Sequence, residues 1–366
     1  MKFSINREQV LKPLQQVAAV VEKRQTLPVL SNVLVEVSDG WLALTGTDLE
    51  LELVARLPLE GENQGGETTV PARKLVDIVK SLPAEAEIRF EVDGERMLVK
   101  SGRSRFSLST LPASEFPSQE EDKAASGFDI APGVLRGLID RTAFSMAQQD
   151  VRYYLNGMLF ELRPGALRAV ATDGHRLALC DAELEGPDQE ASVILPRKGV
   201  MELSRILADA GEMVRLTLGR NHVRIVAGAI TFTSKLVDGK FPEYERVIPK
   251  DGQRRILADR ETLRQALARV AILSNEKYRG VRVQLSEGSL RVVANNPEQE
   301  EAEEEVSVDF NGSPLEIGFN VSYLLDVLTT LNGPQADLEL GDSNSSALIT
   351  DPEDKAAVYV VMPMRL

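Results

Sequence analysis

Chemistry at neutral pH is usually carried by histidine, cysteine or paired carboxylates, and this chain is poor in the first two. Its histidines are His175 and His222, and its one cysteine is Cys180. Asp173 and His175 stand close enough in sequence for a carboxylate to orient an imidazole, and a serine elsewhere could complete a triad. Asp173-Gly174 is a turn signal, however, and no G-x-S-x-G elbow occurs. Walker, H-E-x-x-H and EF-hand patterns are also missing from the sequence. A lone cysteine makes no intramolecular disulfide and no cysteine-based zinc site, so no cofactor and no metal are expected. The residues point away from catalysis and toward binding, with His175 as a structural or surface group.

Whatever is bound must be positioned by the chain's elements, and these recur three times. FSINREQVLKPLQQVAAVVEKR from Phe3 resembles FDIAPGVLRGLIDRTAFSMAQQ from Phe128 and ILADRETLRQALARVAILSNEK from Ile256. Each opens on a short apolar strand and continues with helical spacing. In the first, Val10, Leu11, Leu14, Val17, Ala18 and Val21 fall on one stripe, and Pro13 predicts a bent or late first turn. Strands follow: WLALTGTDLELELVARL from Trp41 matches the stretches from Leu167 and Leu290, and Thr47-Asp48 recurs as Thr172-Asp173. Leu49, Leu51, Leu53, Ala55 and Leu57 alternate with Glu50, Glu52, Val54 and Arg56, the period of a half-buried strand. Second helices are expected at VPARKLVDIVKSL, LPRKGVMELSRIL and FNVSYLLDVLTTL, each followed by two or three strands. Phe116-Pro117 and Phe241-Pro242 close the first two copies, and polar linkers run from Ser118 to Gly127 and from Pro249 to Arg255. The expectation is an α+β chain of three tandem β-α-β-β-α-β-β-β domains at 1–121, 128–246 and 254–366. Helices would lie on one face of an antiparallel sheet, in an elongated or ring-like array.

Hydrophobic residues make up 43% of the chain and charged residues 27%, a globular balance. The longest aliphatic run, Val17-Ala18-Ala19-Val20-Val21, is far short of a membrane span, and MKFSINREQV lacks a signal-peptide core. A cytoplasmic protein without membrane contacts is expected. The net charge of −14 argues against indiscriminate nucleic-acid binding. Yet five of the six predicted helices are net basic, by one to three charges, and the sixth carries −1; the rest of the chain holds −23. On one helix, lysine and arginine would signal only a solvated face. Gathered on one side of the sheets, they would present a positive surface to a polyanion and bind phosphates without reading sequence.

KRQTLPVLSNVL, TGTDLE, VPARKL, QDVRYYLNGM, ATDGHRLA, SKLVDGKFPEYERVIP and the terminal YVVMPMRL resemble the bacterial DNA polymerase III beta subunit family, the replicative sliding clamps, over the whole chain. The resemblance implies a DNA-clamp fold closed into a ring as a head-to-tail dimer, with helices lining the hole and sheets outside. It implies a non-catalytic processivity factor that encircles double-stranded DNA and tethers the polymerase. DNA would be met by Arg24, Arg73, Gln149, Tyr153, Tyr154, Arg197 and Lys198. One of the adjacent tyrosines fits core packing equally well, because neighbouring strand residues face opposite ways.

The resemblance also implies a partner-peptide groove between the second and third copies. From the second copy it takes Leu155, Thr172, Gly174, His175, Arg176, Leu177, Pro242, Arg246 and Val247. From the third it takes Tyr278, Asn320, Tyr323, Ser346, Val360, Met362, Pro363, Met364, Arg365 and Leu366. Short motifs of the DNA polymerase III catalytic subunit, the clamp loader, other polymerases and repair proteins would dock there, with methionine adapting to each.

The joint between protomers is partly legible from charge. The third copy carries Glu298, Glu300, Glu301, Glu303 and Glu304, whereas the first carries Lys74, Arg103 and Arg105 near Phe106 and Leu108. An acidic run is usually a solvated face, but a head-to-tail contact of two edge strands would pair these charges. The resemblance adds Ile272 and Leu273 to this joint. Two rivals stand beside the clamp: a hydrolase centred on Asp173 and His175, and a repeat scaffold that gathers proteins without touching DNA.

Overall fold

The computed structural model describes residues 1–22, 27–117, 127–185, 190–211, 213–250 and 252–365. Strand β1 (Lys2–Asn6) leads straight into helix α1 (Arg7–Ala19), whose first turn is capped by the Asn6 side chain accepting from the Glu8 amide at 3.0 Å. Strands β2 (Asn32–Ser38), β3 (Trp41–Thr47), β4 (Leu51–Pro58) and β5 (Gly66–Pro71) follow, then α2 (Ala72–Ser81), β6 (Glu87–Asp93), β7 (Arg96–Ser101) and β8 (Ser104–Ser109).

The second copy repeats this order as β9 (Gly127–Ile130), α3 (Pro132–Thr142), β10 (Gly157–Arg163), β11 (Ala166–Thr172), β12 (Arg176–Glu183), β13 (Ala191–Pro196), α4 (Arg197–Asp209), β14 (Val214–Leu218), β15 (His222–Ala227) and β16 (Ile230–Lys235). The third is β17 (Arg254–Asp259), α5 (Arg260–Val270), β18 (Gly280–Ser286), β19 (Ser289–Asn295), β20 (Glu301–Ser307), β21 (Leu315–Asn320), α6 (Val321–Thr330), β22 (Gln335–Leu340), β23 (Ala347–Thr350) and β24 (Ala357–Val361).

Four strands therefore separate the two helices of each copy, where two were expected. The missed ones are the strand before the Trp41 hairpin and the short strand that enters the second helix. In the first copy the latter is GETTVP, whose exposed Gly66-Glu67 start and polar Thr68-Thr69 hide its pairing with β2. Pro13 also sits inside α1 without delaying it. The amide that proline lacks would have met the carbonyl of Gln9, a residue on the exposed side. Strand β4 starts at Leu51 rather than Leu49, because Leu49 occupies a turn at φ 77°.

Each copy contributes two four-stranded antiparallel layers instead of one sheet. The first copy's β1-β6-β7-β8 and the third copy's β20-β19-β18-β21 stay separate. The remaining layers fuse between copies: β5-β2-β3-β4 continues through β16 into β15-β14-β9, and β13-β10-β11-β12 continues through β24 into β23-β22-β17. At the first seam Leu53 faces Phe232 and Ala55 faces Ile230; at the second Leu177 faces Val360 and Leu179 faces Val358.

Fusion explains why the chain packs as two compact units that cut across the copies. One unit is Met1–Gly133 with Met201–Leu236, and the other is Val134–Val200 with Val237–Leu366. In the first unit α1 packs on α2 and against β3 and β4, burying Val10, Leu14 and Val17. In the second, α5 and α6 pack together, capped by Asp259 and Asn320. Among the described residues, no helix is long and apolar enough to cross a membrane.

Candidate partner groove and nucleic-acid face

The Thr-Asp pair seen twice in the sequence builds the same turn twice. In the first copy the Thr47 hydroxyl donates to the Leu51 carbonyl at 2.7 Å, and Asp48 Oδ1 accepts from the amides of Glu50 and Leu51 at 2.9 and 2.6 Å. In the second, Thr172 donates to the Arg176 carbonyl at 2.6 Å, and Asp173 Oδ1 accepts from the amides of His175 and Arg176 at 2.9 and 3.0 Å. Asp173 thus binds the backbone amide of His175, and its other oxygen takes Arg176 Nε at 3.1 Å. Both carboxylate oxygens are committed to shaping the turn, which removes the orienting partner that a hydrolase would need. Gly174 sits at φ 89°, the left-handed region that favours glycine; a Cβ there would lie 2.9 Å from the end of the Arg152 guanidinium, which can swing aside.

Where the first copy buries Leu51, the second places Arg176, with its side chain only 12% exposed. Its fork donates to the Phe144 carbonyl at 2.7 Å and pairs with Asp173 and with Asp326 on α6. The guanidinium lies 4.4 Å from the centre of the Tyr323 ring and 5.4 Å from that of Phe144. Arg176 and Tyr323 thus join the second and third copies rather than standing as free groove walls. Asn320 is likewise engaged, accepting from the Ser322 amide at 2.9 Å as the cap of α6.

Beside this turn lies an apolar floor. Leu177 and Val360, paired across the seam, share a buried cluster with Leu159, Val170, Leu179, Ile194, Phe241 and Tyr244. Tyr154, Val237, Ile248 and Leu348 pack at its margin. Thr172 and Leu155 are buried, whereas His175, Pro242, Arg246, Val247 and Tyr278 are exposed. Ser346, Met362, Pro363 and Met364 are half-buried, and Arg365 is exposed. The carboxy-terminal segment is tied down, its Met362 amide donating to the His175 carbonyl at 2.9 Å and Met364 to Gly318 at 2.8 Å. Leu366 lies outside the described residues. Sequence reasoning passed over Leu179, Ile194, Phe241 and Tyr244 as site residues. The recurrence of Phe116-Pro117 as Phe241-Pro242 was the available signal, since Phe116 anchors a like cluster with Val29 and Leu30.

The loop from Gln149 to Asn156 is closed by side chains. Asn156 Nδ2 donates to the Asp150 carbonyl and its Oδ1 accepts from the Asp150 amide, both at 2.9 Å. Arg152 grips the Asp150 carboxylate at 3.0 and 2.9 Å and reaches the Asp173 carbonyl at 3.3 Å. Those hydrogen bonds from Arg152 hold the Asp150 carboxyl down to about 2. Gln149 is exposed at φ 56°. Tyr153 is 57% exposed, and Tyr154 packs against the apolar floor, so the pair divides as adjacent residues on a strand would, although it sits in a 3-10 turn. Arg197 joins the base of the loop, its amide donating to the Asn156 carbonyl at 2.9 Å, and Lys198 is exposed beside it. Arg73 is exposed on the first turn of α2, in the other unit, next to the exposed Lys74. Arg24 lies outside the described residues.

Six of the residues expected at the joint fall on two edge strands, whereas Lys74 lies in α2 and Ile272 and Leu273 in a 3-10 turn. Arg105, Phe106 and Leu108 lie on β8, which pairs with β7, and Arg103 immediately precedes it. Glu301, Glu303 and Glu304 lie on β20, which pairs with β19; Glu298 and Glu300 precede it. Edges β1, β5, β17 and β21 each receive a bridge (Lys2–Gln64, Thr69–Leu111, Leu257–Asp309, Gly318–Met364), and among the described residues β8, β9, β13 and β20 have none. The acidic run is partly neutralised from within. Glu304 pairs with Arg269 at 2.5 Å and Glu303 pairs with Arg291, because both arginines project over the same strand. Near this strand Ile272 is 76% exposed and Leu273 half-buried. No group of three or more metal-ligating side chains occurs among the described residues.

Three family models cover nearly the whole chain: the N-terminal domain of the DNA polymerase III beta subunit matches residues 1–120, the central domain 129–243 and the C-terminal domain 245–365. The beta sliding clamp of Pseudomonas aeruginosa is 60% identical over 367 residues, and that of Escherichia coli 54% over 366, each covering both chains fully. A crystal structure of the Pseudomonas aeruginosa clamp superposes over all of both chains with a TM-score of 0.98 at 59% identity, and Caulobacter crescentus pol III beta with 0.96 at 41%.

Proposed function

Because the chain belongs to the DNA polymerase III beta subunit family, we propose that two copies close head to tail around duplex DNA and offer partners the groove beside Arg176. Membership makes the chain a DNA sliding clamp that tethers the replicative polymerase, a processivity factor and not an enzyme, built of three clamp domains. A scaffold indifferent to DNA is not favoured. We assign the domains to 1–121, 128–246 and 254–366.

One observation carries the ring: of the edge strands that no bridge covers among the described residues, β8 carries Arg105 with Arg103 just before it, and β20 is rich in glutamate. An isologous contact would set like charges together, whereas β8 against β20 sets arginine against glutamate, a heterologous contact that closes when the rotation permits. The exposed Ile272 adds apolar area at that joint. Inside the ring Arg24, Arg73, Gln149, Tyr153, Arg197 and Lys198 meet phosphate and sugar without reading bases. Tyr154, packed against the groove floor, supports the loop rather than the DNA.

The groove receives short apolar motifs of the polymerase III catalytic subunit, the clamp loader, other polymerases and repair proteins, in the cytoplasm. Griselimycin, bound by a Pseudomonas aeruginosa clamp in one crystal structure, is expected to bind this chain as well. The mechanism is topological: the ring stays on DNA because it is closed. The test is to load the protein onto nicked circular plasmid with a bacterial clamp loader and ATP, then cut the plasmid once. Release on cutting is the expected result. Retention on the linear product means binding by contact, and the ring is then wrong.

A further inference from the structure

The groove rim from Val237 to Lys250 belongs to no strand, yet one of its residues is anchored by more polar contacts than any apolar floor requires. Tyr244 is 6% exposed, its ring edge-on to Phe241 at 6.4 Å and part of the cluster with Leu177 and Val360. Its hydroxyl donates to the Glu161 carboxylate and accepts from Arg163 Nη2 and Arg168 Nη1, both at 3.2 Å. Neighbouring Glu245 reaches the same two guanidiniums at 3.3 and 3.4 Å. The arginines are themselves fixed: Arg163 to Glu161 at 2.9 Å, and Arg168 by a two-pronged grip on Asp181 at 2.6 and 2.8 Å. Glu161 opposes Arg168 across β10 and β11, and Arg168 opposes Asp181 across β11 and β12, so three strands build one socket.

The socket governs the rim through the backbone. The Tyr244 amide donates to the Pro242 carbonyl at 2.7 Å, and the Val247 amide donates to the Tyr244 carbonyl at 3.1 Å. Any shift of Tyr244 therefore carries Pro242 and Val247 with it. We propose that the Tyr244 hydroxyl in its Glu161–Arg163–Arg168 socket is a positioning device for the partner groove, holding Pro242 and Val247 at a fixed height over the strand pair that carries Leu177 and Val360. Folding alone needs only the ring in its apolar cluster. A fully satisfied polar network adds a single geometry, and a preformed wall spares the partner the entropy of ordering it. The inference rests on the groove reading above.

The test is surface plasmon resonance of the full-length clamp with the polymerase III catalytic subunit. Wild type is compared with Tyr244→Phe, Glu161→Gln and the groove variant Val247→Asp, with melting temperature and dimer mass measured alongside. Tyr244→Phe keeps the ring and removes the hydroxyl; Glu161→Gln keeps both and weakens the acceptor. The expected result is a fivefold to tenfold faster dissociation for Tyr244→Phe, a smaller rise for Glu161→Gln, and association rates and dimer mass unchanged. A merely structural role would lower the melting temperature and leave dissociation as in wild type. That result in both variants, with Val247→Asp abolishing binding, overturns the positioning role and leaves the groove intact. Unchanged binding by Val247→Asp overturns the groove reading and this inference with it.

Discussion

Replacing Arg176 by lysine tests whether one guanidinium holds the second and third copies in register. Lysine keeps the charge but has no planar fork, so it reaches one of the acceptors that Arg176 now serves: Asp173 at 3.1 Å, the Phe144 carbonyl at 2.7 Å, and Asp326. Hydrogen bonds involving a charged group contribute about 1.5 kcal/mol or more each, and the lost stacking on Tyr323 and Phe144 contributes about 1 kcal/mol. The Asp326 carboxylate is 46% exposed, so its ion pair is screened and adds little. The net loss is about 3 kcal/mol, which for a unit of this size lowers its melting transition by roughly 6–12 °C. Differential scanning calorimetry reads the transition, and binding of the polymerase catalytic subunit reads the groove. Both should weaken together, because the Asp173 turn next to Arg176 also carries His175, whose carbonyl holds Met362. A lysine variant that melts within about 2 °C of wild type and binds the polymerase equally well would refute the reasoning.

Three other perturbations follow from the geometry. Gly174→Ala forces a left-handed backbone on alanine and displaces the Arg152 guanidinium, so it should lower stability by about 1–3 kcal/mol in thermal unfolding and loosen partner binding. The Asp150 carboxyl, held to about 2, is stabilising wherever it is ionised in the folded chain. That contribution is complete above its ordinary value of 3.8 and fades as pH falls toward 2. Its carboxyl carbon resonance should titrate near 2 in wild type and return toward the ordinary range in Arg152→Gln. Ile272→Asp places a charge beside the glutamates of β20 and should halve the mass seen by light scattering, with the melting temperature of the protomer little changed.

Much of this architecture was readable in the residues. Period and recurrence locate the six helices, and Thr47-Asp48 with Thr172-Asp173 marks a turn that the atoms repeat bond for bond. The unread parts are those where local pattern and tertiary pairing part company. GETTVP has too few apolar residues to announce a strand, and its partner β2 supplies the order. Glu161, Arg163, Arg168 and Asp181 look like solvated charges on alternating strands; the register sets Arg168 opposite Glu161 and Asp181, and the rim segment then covers them with Tyr244. Arg176 sits where periodicity calls for an apolar residue, and its partner Asp326 is 150 residues away.

The fused sheets also set a timetable for synthesis. Strand β4 is complete at residue 58, but its neighbour β16 starts at residue 230, and β12 waits as long for β24. At about 5–20 residues per second on the ribosome, each strand stands with one bare flank for on the order of ten seconds or more. Neither compact unit is a continuous stretch of chain, so neither can finish before the second copy has been threaded into both. The charges on the waiting strands, Glu52 and Arg56 on β4 and Asp181 and Glu183 on β12, suit that interval, since a charged flank resists pairing with a stranger.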